Sequence, residues 1–195
     1  MEYVSSDADR HICPGVFVAV AGPSGGGKDS ILQRAKQALA GDPAFLFSRR
    51  YVTRPAGQDE DNDALTLPQY AKMIASGNFA LAWDAHGLRY AIPAQADQEI
   101  MAGRVVIANL SRTAMETARN RYRTCKLVLI DAPPDVRAAR LAGRSRETTQ
   151  EIVGRLARTP PDFDPGLAEL VIDNSGALET AANQFIAFLR SLRVG

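Results

Sequence analysis

Short, unbroken apolar runs alternate along the chain with longer stretches whose apolar residues fall at helical spacing. Val16–Ala21, Val105–Ala108, Lys126–Ile130 and Leu170–Ile172 are the runs, each bounded by turn-forming or polar residues. Runs of this kind read as strands buried on both faces. Helical spacing extends over Ile31–Leu39, Pro68–Ser76, Pro93–Met101, Thr113–Tyr122, Asp135–Ala142, about Thr149–Arg158 and Leu178–Leu192. Gly41-Asp42-Pro43, Gly77-Asn78 and Gly103 punctuate them. Ala44–Phe47 is a short apolar stretch, Phe79–Trp83 predicts a further strand, and Asp84–Tyr90 a turn with a short strand. The acidic run Gly57–Asp63 reads as a loop. This alternation predicts an α/β fold, a parallel sheet flanked by helices on both faces. Ligands in such folds sit outside the carboxyl ends of the strands. Those ends carry Gly22–Gly27, Asn109–Arg112 and Asp173–Gly176.

The stretch after the first strand is Gly22-Pro23-Ser24-Gly25-Gly26-Gly27-Lys28-Asp29-Ser30, and a helix follows it. Strand, glycine loop and helix in that order are the setting a phosphate-binding loop requires. Glycines let successive backbone N–H groups approach phosphate oxygens, and the helix N-terminus adds unpaired donors and partial positive charge. Lys28 supplies a full charge to the β and γ phosphates of a nucleoside triphosphate. The usual pattern places Ser or Thr after the lysine to hold Mg²⁺; here Asp29 stands there. A carboxylate is also a hard-oxygen ligand for Mg²⁺, and Ser30 offers a hydroxyl, so the pattern leaves both as metal candidates.

Length and composition then limit the class. The 195 residues suit one domain, with a polar, acidic N-terminal tail. Net charge is +1, so no global field points to nucleic acid or to a membrane surface. No apolar run approaches ~18 residues, the N-terminus is unlike a signal peptide, and two distant cysteines suggest a reducing, cytoplasmic setting. Of the 23 Lys and Arg residues, all but Lys28, Lys36, Lys72 and Lys126 are arginine, which suits bidentate phosphate recognition.

The arginines fall in two groups. Arg49, Arg50 and Arg54 follow the first helix; Arg140, Arg144, Arg146 and Arg155 lie on either side of a segment that reads as a helical lid. A lid carrying Arg144 and Arg146 places positive charge on a transferring phosphoryl group and excludes water. Arg137 and Arg158 read as residues of solvated helix faces, and His86 as a turn residue near substrate. No nucleophile–base pair and no metal triad is apparent. That favours an acceptor that is itself a phosphate, because a phosphate monoester, with its second pKa at ~6, needs no general base.

From about Gly15 to the C-terminus the chain resembles the guanylate kinase branch of nucleoside monophosphate kinases. The resemblance rests on the Gly22–Lys28 loop, on Tyr51-Val52-Thr53-Arg54, on His86-Gly87-Leu88-Arg89-Tyr90, and on Arg140-Leu141, Arg144 and Arg155-Leu156. It implies a P-loop NTPase fold with ATP and Mg²⁺, a single kinase domain over 15–195 after a tail at 1–14, a substrate-binding insertion at about 49–92 and a lid at about 143–158. Three departures stand out. Gly57 replaces a second phosphate-binding arginine, no tyrosine lies between Tyr51 and Tyr70, and Asn109-Leu110-Ser111-Arg112 replaces an acidic strand end. Glu60 remains at the guanine-reading glutamate.

These departures are similar to the ribose 1,5-bisphosphate phosphokinases of phosphonate breakdown, in Gly-Lys-Asp-Ser, Arg-Tyr-x-Thr-Arg, Asn-x-Ser-Arg and Arg-x-Arg-Glu. That resemblance implies transfer of the γ-phosphoryl group of ATP to the C1 phosphate of ribose 1,5-bisphosphate, giving 5-phosphoribosyl 1-diphosphate. It implies that Arg50, Tyr51, Arg54, Glu60, Tyr90, Asn109, Ser111 and Arg112 form the acceptor site. Lys28, Arg144 and Arg146 are then the catalytic residues, and Gly22–Ser30 the ATP site. The partner is a small phosphorylated sugar, with neither nucleic acid nor membrane; a homodimer is compatible with this. Asn174–Gly176 borders the adenine on position alone. Two alternatives remain: a guanylate kinase with altered contacts, and a non-catalytic guanylate kinase-like binding module.

Overall fold

The central strand of the larger sheet is apolar at every position, and this decides the layering. A computed structural model describes residues 12–54, 62–85, 87–143 and 165–193. Val16–Ala21 (β1) lies between Val105–Asn109 (β7) and Cys125–Asp131 (β8); Phe45–Ser48 (β2) pairs with β7, and Leu170–Asp173 (β9) with β8. All four pairings are parallel. Strand side chains alternate between faces, so β1 serves two cores. Val16, Val18 and Val20 pack with Ile31 and Ala35 of the helix Lys28–Ala38 (α1) and with Ala181, Phe185 and Leu189 of Leu178–Ser191 (α6). Phe17, Ala19 and Ala21 face the other way. They meet Ala96 and Ile100 of Gln95–Met101 (α3) and Met115 and Ala118 of Met115–Arg121 (α4).

That second core is closed by another sheet. Arg50–Val52 (β3), Asn62–Ala64 (β4), Phe79–Ala85 (β5) and Leu88–Pro93 (β6) run in the order β4-β3-β6-β5. β3 and β4 are parallel, and the other pairs antiparallel. Val52, Leu81, Trp83, Tyr90 and Ile92 turn inward and join the buried cluster that holds Phe17, Ala19, Ala96 and Ile100. Burying each large apolar side chain is worth about 1.5–3 kcal/mol, so this layer ties the second sheet firmly into the same core. Phe17, fully buried, stacks on Tyr122 at 4.4 Å between ring centroids, and the Tyr122 hydroxyl donates to Asp97 Oδ1 at 2.8 Å.

Several expectations are corrected. The segment after Phe47 carries β3, and the end of the acidic run is β4 and not a loop. Neither strand has the apolar pattern that signals one; β4 pairs in register with β3, Arg50 opposite Asn62. Strand β6 runs on to Pro93. The helix expected from Thr113 begins with a 3-10 turn, Arg112–Ala114, before α4. Leu67–Ala75 (α2) opens on a reciprocal cap: Thr66 Oγ1 accepts from the Gln69 amide, and Gln69 Oε1 accepts from the Thr66 amide. Pro134–Ala142 (α5) starts one residue before its expected start. No helix among the described residues is long and apolar enough to cross a membrane.

Candidate active site

Because the larger sheet is parallel, the carboxyl ends of β1, β7, β8 and β9 share one edge, and the glycine loop, Asn109–Arg112 and Asp173–Gly176 lie along it. The chain leaves β1 through the glycine loop. Gly22 lies so close to β8 that a Cβ would stand 1.9 Å from the Ile130 carbonyl oxygen. Gly27 has φ +88°, and a Cβ on it would meet Asn174 Nδ2 at 2.1 Å. Only glycine fits either place. Lys28 opens α1 and folds back over the loop, its Nζ donating to the carbonyls of Gly22 at 2.8 Å and Pro23 at 3.0 Å.

Asp29 and Ser30 point to different sides of α1, as residues about 100° apart on a helix must. Asp29 Oδ1 accepts a 3.2 Å hydrogen bond from Asn109 Nδ2 at the end of β7. Ser30 lines an open pocket of about 430 Å³ together with Gly25, Gly27, Arg140, Asn174 and Gly176. Two buried polar atoms at this pocket have no hydrogen-bond partner among the described residues, Arg140 Nη1 and Asn174 Oδ1. Asn174 is 2% exposed. Its Nδ2 donates to the Gly26 carbonyl at 2.9 Å, and Arg140 Nη2 to the Asn174 carbonyl at 2.8 Å.

On the other side of Asp29 stands the second sheet. Arg50 is electrostatically coupled to Asp29 and Arg54; burial pulls its guanidinium pKa below the ordinary arginine value, against the pull of Asp29. Its Nε donates to Asn62 Oδ1 at 2.7 Å, and its guanidinium lies 5.3 Å from the centre of the Tyr90 ring. Tyr90 in turn stacks on Trp83 at 5.5 Å. Arg50, Arg54, Tyr90, Asp29 and Asn109 thus form one neighbourhood. Asn109 Oδ1 is buried there without a partner among the described residues.

Other expected residues lie elsewhere. Arg49 does not join the loop: Nη2 pairs with Asp63 at 3.0 Å and donates to the Asn62 carbonyl. Tyr51 alternates to the outer face of its strand, where its ring lies 5.7 Å from Phe79, itself 5.1 Å from Tyr70 of α2. The inward neighbours Arg50 and Val52 therefore leave it behind. Ser111 Oγ lies 2.7 Å from Thr113 Oγ1. Arg112 feels Asp131 and Arg137, and burial again lowers its pKa. Arg137, expected from sequence on a solvated helix face, is instead buried. It is 8% exposed, donates to the Ala132 carbonyl at 3.0 Å and stands 3.8 Å from Asp131. The cause is that α5 packs against the loop, a Cβ at Gly25 meeting the Arg137 carbonyl at 2.8 Å. Glu60, His86, Arg144, Arg146, Arg155 and Arg158 lie outside the described residues. Sequence reasoning missed Asn62 and Trp83. Nothing in the acidic run marks Asn62, and Trp83 reads only as a strand residue.

No protein-family profile matches the chain. It is 44% identical over 179 residues to a ribose 1,5-bisphosphate phosphokinase PhnN of Methylobacterium radiotolerans, covering 91% of this chain and 99% of that one. To the protein of the same name from Brucella melitensis it is 46% identical over 182 residues, covering 92% and 94%. To that from a Chelativorans species it is 44% identical over 194 residues, covering 97% and 92%. Among solved structures, a guanylate kinase from Anaplasma phagocytophilum superposes with a TM-score of 0.67 at 15% identity, covering 93% of this chain and 87% of that one, a likeness of fold.

Proposed function

The chain belongs to the ribose 1,5-bisphosphate phosphokinase family, and from that premise we propose that it moves the γ-phosphoryl group of ATP onto the C1 phosphate of ribose 1,5-bisphosphate. The products are ADP and 5-phosphoribosyl 1-diphosphate, in a step of phosphonate breakdown. The observation that carries this reading is Arg50: a part-buried guanidinium on the second sheet, held by Asn62 and Tyr90 and attracted by Asp29 at the start of α1. It sets a cation for a phosphate acceptor beside the loop for the donor. The guanylate kinase alternative has a likeness of fold alone at 15% identity. The non-catalytic module fits poorly with an intact loop and Lys28.

The donor side consists of the glycine loop, Lys28 and Ser30. The pocket beside Gly27, with its unpartnered Arg140 Nη1 and Asn174 Oδ1, suits a base and ribose. Asp29 is the better choice for Mg²⁺, because it faces Arg50 and Asn109, whereas Ser30 faces the pocket. The hard oxygens of Asp29 and the buried, unpartnered Asn109 Oδ1 fit that ion. When bound, Mg²⁺ supplies charge neutralisation on the phosphates. Arg50, Arg54 and Arg112 hold the acceptor, with Tyr90, Asn109 and Ser111 at its edges. Tyr51, whose ring packs on Phe79, lies on the face of β3 opposite Arg50. The acceptor oxygen is ionised near neutrality, so no residue need remove a proton. Arg144 and Arg146 of the lid bring charge to the transferring group, and Glu60 borders the acceptor. The domain spans 15–195, with the second sheet as its acceptor-side insertion and a cytoplasmic setting.

Phosphorus NMR with Mg²⁺-ATP tests the reading, with ribose 1,5-bisphosphate in one sample and GMP in another. A new diphosphate signal is expected with the sugar. Turnover with GMP alone, or silence in both samples, overturns it.

A further inference from the structure

We infer that Asn62 is a positioning residue: it holds the guanidinium of Arg50 toward the acceptor's phosphate without cancelling its charge. This rests on the proposed role of Arg50. Asn62 is one of very few buried polar residues among those described, at 5% exposure. It sits in a three-residue strand opposite Arg50 in register, and its Oδ1 accepts from Arg50 Nε at 2.7 Å. Its carbonyl accepts from Arg49 Nη2 at 3.2 Å, and Arg49 pairs with the adjacent Asp63. Strand β4 is therefore tied to β3 by arginine side chains as well as by its ladder. Tyr90, on the strand at the other side of β3, lies against the guanidinium. Contacts from two flanking strands thus fix one side chain that has many rotamers when free, which removes an ordering cost at binding.

The residue type is informative. A carboxylate at this position would pair with Arg50 and compete with a phosphate for it. An apolar residue would leave Nε without this acceptor in a part-buried site, a costly arrangement. A neutral amide oxygen orients the guanidinium and leaves its charge for the ligand.

A double-mutant cycle tests this. Arg50→Lys keeps a charge but has no Nε, so it removes the atom through which Asn62 acts. Steady-state rates are measured with ATP and ribose 1,5-bisphosphate each varied, and melting temperatures alongside. Asn62→Ala is expected to lower kcat/KM for the sugar bisphosphate roughly tenfold to a hundredfold, with KM for ATP little changed. Adding it to Arg50→Lys should cause little further loss. Independent, multiplying losses, or equal damage to both substrates with a lower melting temperature, would assign Asn62 a merely structural role and leave the reading of Arg50 intact. A silent Arg50→Lys and Arg50→Ala would remove that reading and the inference together. Asn62→Asp covers the case in which the alanine variant does not fold. It keeps size and hydrogen bond, and should still weaken the sugar bisphosphate by neutralising Arg50; wild-type kinetics in this variant would overturn the inference.

Discussion

Asn109 Nδ2 donates to Asp29 Oδ1 at 3.2 Å, across 80 residues of chain. One residue ends β7 and the other begins α1. The carboxylate stands on the helix where the usual phosphate loop has a hydroxyl, and the strand end carries a neutral amide. The charge here stands on the helix, and the hydrogen bond orients it. Asp29→Asn is therefore expected to weaken divalent-metal binding, roughly tenfold to a hundredfold, and Asn109→Ala to weaken it by about the lower figure. Mn²⁺ titration of the ADP complex, read by electron paramagnetic resonance, checks both. Unchanged affinity in Asp29→Asn would hand the metal to Ser30.

Lys28 Nζ donates to two backbone carbonyls of its loop, those of Gly22 and Pro23. Lys28→Ala should leave the circular dichroism spectrum intact and lower kcat by about 10² to 10³, the usual loss for one preorganised cation or donor. An active variant would end the phosphate-loop assignment.

Gly27 combines φ +88° with Asn174 Nδ2 at 2.1 Å from its missing Cβ. Gly27→Ala must strain the backbone, by about 1–2 kcal/mol, and push Asn174 off the Gly26 carbonyl. Lower melting temperature and weaker ATP binding should appear together in calorimetry; a neutral variant would mean that the loop relaxes without loss.

Phe17 is fully buried in the core that the two sheets share, and stacked on Tyr122. Phe17→Ala should destabilise the fold by about 3–5 kcal/mol in urea unfolding. A change under about 1 kcal/mol would contradict the tight packing of Phe17 in this core.

Burial pushes the Cys125 thiol up to about 11, whereas Cys13 is exposed. Alkylation near pH 8 should modify one cysteine, with Cys125 reacting on unfolding. The folded state keeps its proton above pH 9 where the unfolded chain has released it. Cys125 therefore supports the fold fully below about pH 9 and loses that contribution as pH rises toward 11. Cys125→Ser should flatten this alkaline decline in melting temperature. A decline identical to wild type would rule Cys125 out as its source.

The larger sheet was legible in the chain because its strands are buried on both faces: Val16–Ala21 and Val105–Ala108 have no polar position to confuse the pattern. The glycine loop was legible because its chemistry is local, a few consecutive backbone groups and Lys28. Family motifs pointed to Arg50, Tyr90 and Asn109. What tertiary structure alone decided is pairing. β3 and β4 are short and polar, and they become strands only through partners far along the chain, Ala91 for Tyr51 and Arg50 for Asn62. The sidedness of Asp29 and Ser30, the outward turn of Tyr51 and the burial of Arg137 depend on which surface packs against each residue. Residue type cannot carry that information. A side chain's chemistry is set by its own atoms, but its environment is set by neighbours that only the fold brings near.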